Sequence, residues 1–151
     1  MTLNLIPLPD LTAVGKAAER LAPLLRMRDL ILLQGELGAG KTTFARALLQ
    51  ILGVQEDVPS PTFTLLQTYE TPHFPIYHFD FYRITNETEL EELGWEEALA
   101  NGLVIAEWPE RAEGHFPKDR LILHFKCDGN NQRSLAFEPC GKWVERMKDF
   151  K

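Results

Sequence analysis

The stretch Leu30-Ile-Leu-Leu-Gln-Gly35-Glu-Leu-Gly-Ala-Gly40-Lys41-Thr42-Thr43 decides the fold. Its apolar opening, residues 30–33, has the pattern of a short strand buried on both faces, as in a parallel sheet. A glycine-rich turn of the form G-x-x-x-x-G-K-[ST] follows, running from Gly35 through Glu36, Leu37, Gly38 and Ala39 to Gly40, Lys41 and Thr42. Beyond it Phe44, Ala45, Leu48, Leu49 and Leu52 recur at helical spacing, and Gly53 stands where a helix-ending C′ glycine belongs. Strand, loop and helix in this order form a phosphate cradle. The glycines let successive backbone N–H groups converge on phosphate oxygens, and the helix N-terminus adds unpaired donors and the positive end of its dipole. Lys41 is placed to reach the β- and γ-phosphates, the Thr42 hydroxyl to ligate Mg²⁺, and Thr43 to donate to the α-phosphate. No Asn/Thr-Lys-x-Asp segment of the kind that reads guanine occurs, so ATP is the expected nucleotide.

Upstream, Leu11, Val14, Ala17, Ala18 and Leu21 predict a helix capped by Asp10 and ended by Pro23. Downstream, Pro59 and Pro61 mark a stiff loop, and residues 63–69 and 76–81 read as strands separated at Pro72 and Pro75. Residues 86–99 are acidic and helical, split at Gly94, and 103–106 form a second wholly apolar strand. Residues 121–126 and 133–138 predict a hairpin across Asp128-Gly129-Asn130-Asn131, and 140–151 a short closing helix. The expectation is an α/β fold. A single P-loop NTPase-like domain spans 1–151, its mixed sheet having a parallel core, antiparallel later strands and flanking helices.

The bulk properties narrow the function. With 44% hydrophobic and 25% charged residues, the chain has a globular balance rather than that of a disordered one. No run approaches the roughly 18 apolar residues of a membrane helix, so no membrane partner is expected. The opening residues lack the basic and apolar regions of a signal peptide. Cys127 and Cys140 fit no metal spacing and read as reduced thiols of a cytoplasmic protein. A net charge of −6 without a Lys/Arg cluster argues that any nucleic acid involved is held by another protein.

The P-loop strand needs a neighbour that delivers an acid to Mg²⁺ or to the attacking water. Asp80 closes the apolar strand 76–79 and Glu107 closes 103–106, both on the edge where open α/β sheets bind ligands. Glu107 follows the more apolar strand and is assigned to Mg²⁺, directly or through water, leaving Asp80 to orient or deprotonate the water. These two jobs are not firmly separated by sequence. Thr62, in the loop 58–63, is a candidate for the metal or the γ-phosphate, and Trp108 for gating the site or meeting a partner. Arg83 and Arg111 are candidates to pair with carboxylates or stabilise phosphate charge. The histidines 73, 78, 115 and 124 lack ligand spacing and read as structural, and 87–97 as a solvated helix face or a docking surface for a basic partner.

Four segments then carry a resemblance: Gly35–Thr43, Val58-Pro-Ser-Pro-Thr-Phe63, His78-Phe-Asp-Phe-Tyr-Arg83 and Glu107-Trp-Pro-Glu-Arg111. In this order, and with Glu91-Glu92-Leu93-Gly94, they resemble the TsaE (YjeE) family of bacterial ATPases, from the N-terminal helix to about Phe125. The resemblance implies a cytoplasmic ATPase required for N6-threonylcarbamoyl modification of adenosine 37 in tRNAs reading ANN codons. It would act with the transferase subunits TsaD and TsaB, and touch tRNA through them. It also implies that Lys41 and Thr42 serve phosphate and Mg²⁺, that Asp80 and Glu107 are the essential acids, and that Trp108 adjoins them. Two rival readings are a small-molecule P-loop kinase and a nucleotide-dependent interaction module. The segment after Gly53 counts against the kinase, because it is short, proline-stiffened and without arginine until Arg83.

Overall fold

The computed structural model describes residues 5–36, 38–55, 58, 65–130 and 132–150. Asp10 caps helix α1 (Leu11–Leu21), its Oδ1 accepting the Ala13 N–H at 2.9 Å. Pro23 does not stop the chain sharply but sits in a 3₁₀ turn, Ala22–Leu24, that continues the helix. The strand predicted at 30–33 is β2 (Leu30–Gly35), and the following helix is α2 (Lys41–Ile51), after which Gly53 adopts φ +112°. Strands β3 (Leu66–Tyr69) and β4 (Ile76–Asp80) lie either side of the proline break, and residues 63 and 64 fall outside the described residues. Gly94 separates α3 (Glu87–Glu92) from α4 (Trp95–Asn101), and β5 (Leu103–Glu107) comes next. The hairpin is longer than expected, with β6 (Arg120–Cys127) and β7 (Arg133–Cys140) of eight residues each. The tail contributes only one turn of helix, α5 (Trp143–Arg146). An edge strand absent from the sequence reading, β1 (Leu5–Pro7), pairs antiparallel with β7.

The seven strands among the described residues form one sheet in the order β1-β7-β6-β2-β5-β4-β3. β6, β2, β5 and β4 run parallel in the centre; β7 and β3 run against them, and β1 pairs antiparallel with β7. Side chains alternate across the sheet. Ile31, Leu33, Ile76, Leu103 and Ile105 meet Leu21 of α1 and Phe44, Leu48 and Leu49 of α2 on one face. Leu30, Leu32, Phe79, Val104 and Ala106 meet Leu90, Trp95 and Ala98 on the other. On that second face Trp95 gathers the rings of Phe79, Phe81 and Phe116, with centroids 5.1, 5.3 and 5.8 Å away.

Register fixes the site. Leu33 lies opposite Glu107, and Glu107 opposite Asp80, so β2, β5 and β4 finish side by side. By the same alternation His78, Asp80 and Glu107 share the face on which α2 packs. No helix among the described residues is long and apolar enough to cross a membrane. Cys127 and Cys140 are free thiols.

Candidate nucleotide-binding site

β2 ends in a close approach that only glycine permits. A Cβ on Gly35 would stand 2.5 Å from the Phe125 carbonyl oxygen of β6, so the P-loop leaves the sheet flush against its neighbour. At the other end of the loop Gly40 takes φ +106° to turn the chain into α2, where an L side chain would be strained. Between them the Ala39 N–H donates to the Glu36 carbonyl at 3.1 Å, closing the turn. Thr43 is half-buried in the first turn of α2, while Leu37 lies outside the described residues.

Lys41 folds back over this loop. Its Nζ donates to the Gly35 carbonyl and lies 3.4 Å from the centre of the Trp108 ring, a cation–π contact. Burial pushes the Lys41 pKa below the ordinary lysine value, against the pull of Glu107, Glu110 and Asp80, which favour the charged form. Trp108 reaches this position by adopting φ 58° and ψ 52°, a left-handed conformation unusual for a bulky residue. The half-exposed Tyr82 ring packs against it at a tilt of 57°, centroids 4.9 Å apart, and the Arg111 guanidinium sits over Tyr82 at 5.4 Å.

Three acid-site side chains are joined directly. The Thr42 hydroxyl donates to Glu107 Oε1 at 2.9 Å, and His78 Nε2 stands 2.7 Å from Glu107 Oε2. Glu107 and His78 are 2% and 0% exposed, so this is an interior cluster rather than a rim. Asp80 is also buried, and its Oδ1 accepts the Tyr82 N–H at 2.9 Å, turning the chain out of β4. The Phe81 N–H bonds to the Glu107 carbonyl at 3.0 Å, which ties the two strand ends together.

The donor set suits Mg²⁺. A hydroxyl and carboxylates are hard oxygen ligands, and Mg²⁺ is held by one or two protein oxygens together with phosphates and water. The Thr42 hydroxyl and the Glu107 carboxylate, 2.9 Å apart, are oxygens of that kind.

The sequence expectations thus converge on one place for Gly35, Glu36, Gly38, Ala39, Gly40, Lys41, Thr42, Asp80, Glu107 and Trp108. Thr62 lies outside the described residues. Arg111 belongs to the outer rim with Tyr82, and Arg83 is exposed. Three histidines sit away from the acids: His73 is exposed, His115 faces Glu87 at 3.3 Å and His124 faces Glu138 at 2.7 Å. His78 is the residue that sequence reasoning missed. Its signal was its place two positions before Asp80 in an alternating strand, which puts both on one face. Two clefts flank the loop. The larger, about 1020 Å³, lies on the β6–β7 side between Pro7, Pro9, Gln34, Lys126 and Arg133. The smaller, about 420 Å³, is bounded by Glu36, Trp108 and Glu110.

The family model described as "Threonylcarbamoyl adenosine biosynthesis protein TsaE" matches residues 8–135. The chain belongs to the TsaE family. The match runs past Phe125, where the resemblance by motif ends, and takes in the β6–β7 turn. Among similar proteins is the tRNA threonylcarbamoyladenosine biosynthesis protein TsaE of Rickettsia typhi. It is 43% identical over 122 residues, covering 80% of this chain and 85% of that one. The protein of the same name from Bacillus subtilis is 38% identical over 120 residues, covering 79% and 75%. The crystal structure of Bacillus subtilis YdiB superposes with a TM-score of 0.81 at 26% identity, covering 99% of this chain and 95% of that one.

Proposed function

We propose that this chain is an ATP-binding and ATP-hydrolysing accessory protein of N6-threonylcarbamoyladenosine formation at position 37 of ANN-decoding tRNAs. It acts in the cytoplasm beside the TsaD–TsaB transferase, and meets tRNA through those partners. The observation that carries the reading is the 2.9 Å bond between the P-loop hydroxyl of Thr42 and the strand-end acid Glu107. Family membership supports the pathway, and nothing in the comparisons favours a small-molecule kinase.

In this reading the P-loop amides and Lys41 bind the polyphosphate, and Thr42 and Glu107 hold Mg²⁺. Bound there, the ion would supply positive charge to the phosphates. Asp80 orients or deprotonates the attacking water. Lys41 exchanges the Gly35 carbonyl and the Trp108 ring for phosphate oxygens when nucleotide arrives. Adenosine is assigned to the larger cleft, because the acids occupy the β5 side of the P-loop strand and that cleft opens on its β6 side. Phosphoryl transfer depends mainly on positioning and charge stabilisation, and one missing group costs about 10³–10⁵ in rate. Slow turnover alone, completed by a partner, is the expected behaviour. The test is threonylcarbamoylation of tRNA by TsaD and TsaB with this chain or its Lys41→Ala form. Support by the wild type and none by the variant is expected; equal support by both would end the proposal.

A further inference from the structure

We propose that His78 is a positioning residue of this site, pinning one oxygen of Glu107 so that the other is held beside Thr42. The inference rests on the nucleotide–metal reading above and adds a residue to it. His78 lies in β4 opposite Ile105 of β5, with Ile76 two residues away on the same face, in a layer where an aliphatic side chain would pack without polar cost. It is fully buried, and its Nε2 is 2.7 Å from Glu107 Oε2. Glu107 Oε1 is taken by the Thr42 hydroxyl at 2.9 Å. Each carboxylate oxygen therefore has its own partner from a different element, β4 on one side and α2 on the other. A glutamate has three rotatable side-chain bonds; bonding at both oxygens removes that freedom before any ligand binds.

The ring's other nitrogen shows that packing is not the whole reason for a histidine here. His78 Nδ1 is buried with no hydrogen-bond partner among the described residues. An imidazole nitrogen is polar whether it donates or accepts, so Nδ1 is an unpaired polar atom whichever nitrogen carries the proton. Leaving a buried polar atom unpaired costs on the order of 1–3 kcal/mol, a cost that valine or leucine at this position would avoid. The 2.7 Å hydrogen bond between Nε2 and Glu107 is what the chain gains in exchange. Carboxylates that ligate a metal are themselves held by outer hydrogen bonds, and loss of such a bond lowers metal affinity or activity by about 10–100-fold.

The experiment compares His78→Leu, which has no donor, with His78→Gln, whose amide nitrogen can occupy the Nε2 position. Each is measured for ADP affinity in EDTA and for Mn²⁺ affinity of its ADP complex by electron paramagnetic resonance. Thermal unfolding checks the fold, and His78→Asn, too short to reach Glu107, replaces the leucine variant if that one does not fold. Expected is a loss of Mn²⁺ affinity of about 10–100-fold in the leucine variant, unchanged ADP affinity in EDTA, and recovery of most of the loss by glutamine. Wild-type Mn²⁺ affinity in the leucine variant would overturn the positioning role while leaving the nucleotide reading intact. So would equal losses in both variants, or a parallel loss of metal-free ADP binding. Failure of the wild type itself to bind ADP or Mn²⁺ would instead sink the reading on which the inference rests.

Discussion

Lys41 carries its charge where burial works against it, and this gives the site a pH dependence of known sign. Its folded-state pKa is depressed by burial despite Glu107, Glu110 and Asp80. Between that pKa and the unfolded value the unfolded chain binds more protons, so the free protein gains stability as pH rises through the window. Bound phosphate has the opposite preference, because it needs the ammonium. ATP affinity should therefore fall as pH climbs through the Lys41 range, starting at lower pH than an exposed lysine would give. Lys41→Arg should flatten that alkaline limb in titration calorimetry; identical limbs in both proteins would remove Lys41 as its source. Trp108 supplies a second readout. Trp95 and Trp143 are 4% and 1% exposed, whereas Trp108 rests against the ammonium that phosphate must claim. Nucleotide should change the intrinsic fluorescence of the wild type and not that of Trp108→Phe. At this scale the P-loop residues and both acids were legible, because their motif and their place after apolar runs are written locally. His78 was not, since its partner Glu107 is 29 residues away and only strand register brings them together.

At the scale of elements, the meeting of β2 and β6 explains why the P-loop begins with glycine. Gly35→Ala forces a methyl group toward the Phe125 carbonyl, which is backbone and cannot swing aside. Destabilisation of about 1–3 kcal/mol is expected, as for other overpacked sites, and denaturant unfolding measures it. A stability equal to wild type would mean that the two strands separate freely there. β2 and β5 were readable because their apolar residues are buried on both faces and form uninterrupted runs. β1 was not, since three residues, one of them Pro7, carry no usable alternation. Nor could the sequence show how short α5 is, because its length is set by what it packs on.

Across the whole molecule, the last segment is tied back to the start of the P-loop strand. Arg146 Nη1 bonds to Asp29 Oδ2 at 2.6 Å and to the Leu24 carbonyl at 3.3 Å, while its guanidinium covers the Trp143 ring at 4.3 Å. Removing one member of a buried pair costs about 3–5 kcal/mol, and less is expected here because the Arg146 side chain keeps 15% exposure. Arg146→Met should lower the unfolding midpoint yet leave nucleotide affinity intact. Loss of affinity along with stability would show that the clamp also shapes the loop. The global charge of −6 and the acidic α3–α4 face fit the proposal that partner proteins, rather than this chain, hold tRNA. The most direct test of that account is the rate of ATP hydrolysis by the purified chain, alone and with TsaD, TsaB and tRNA, using Lys41→Ala as control. The account predicts slow turnover alone and strong stimulation by the partners, absent in the variant; a rate indifferent to those partners would contradict it.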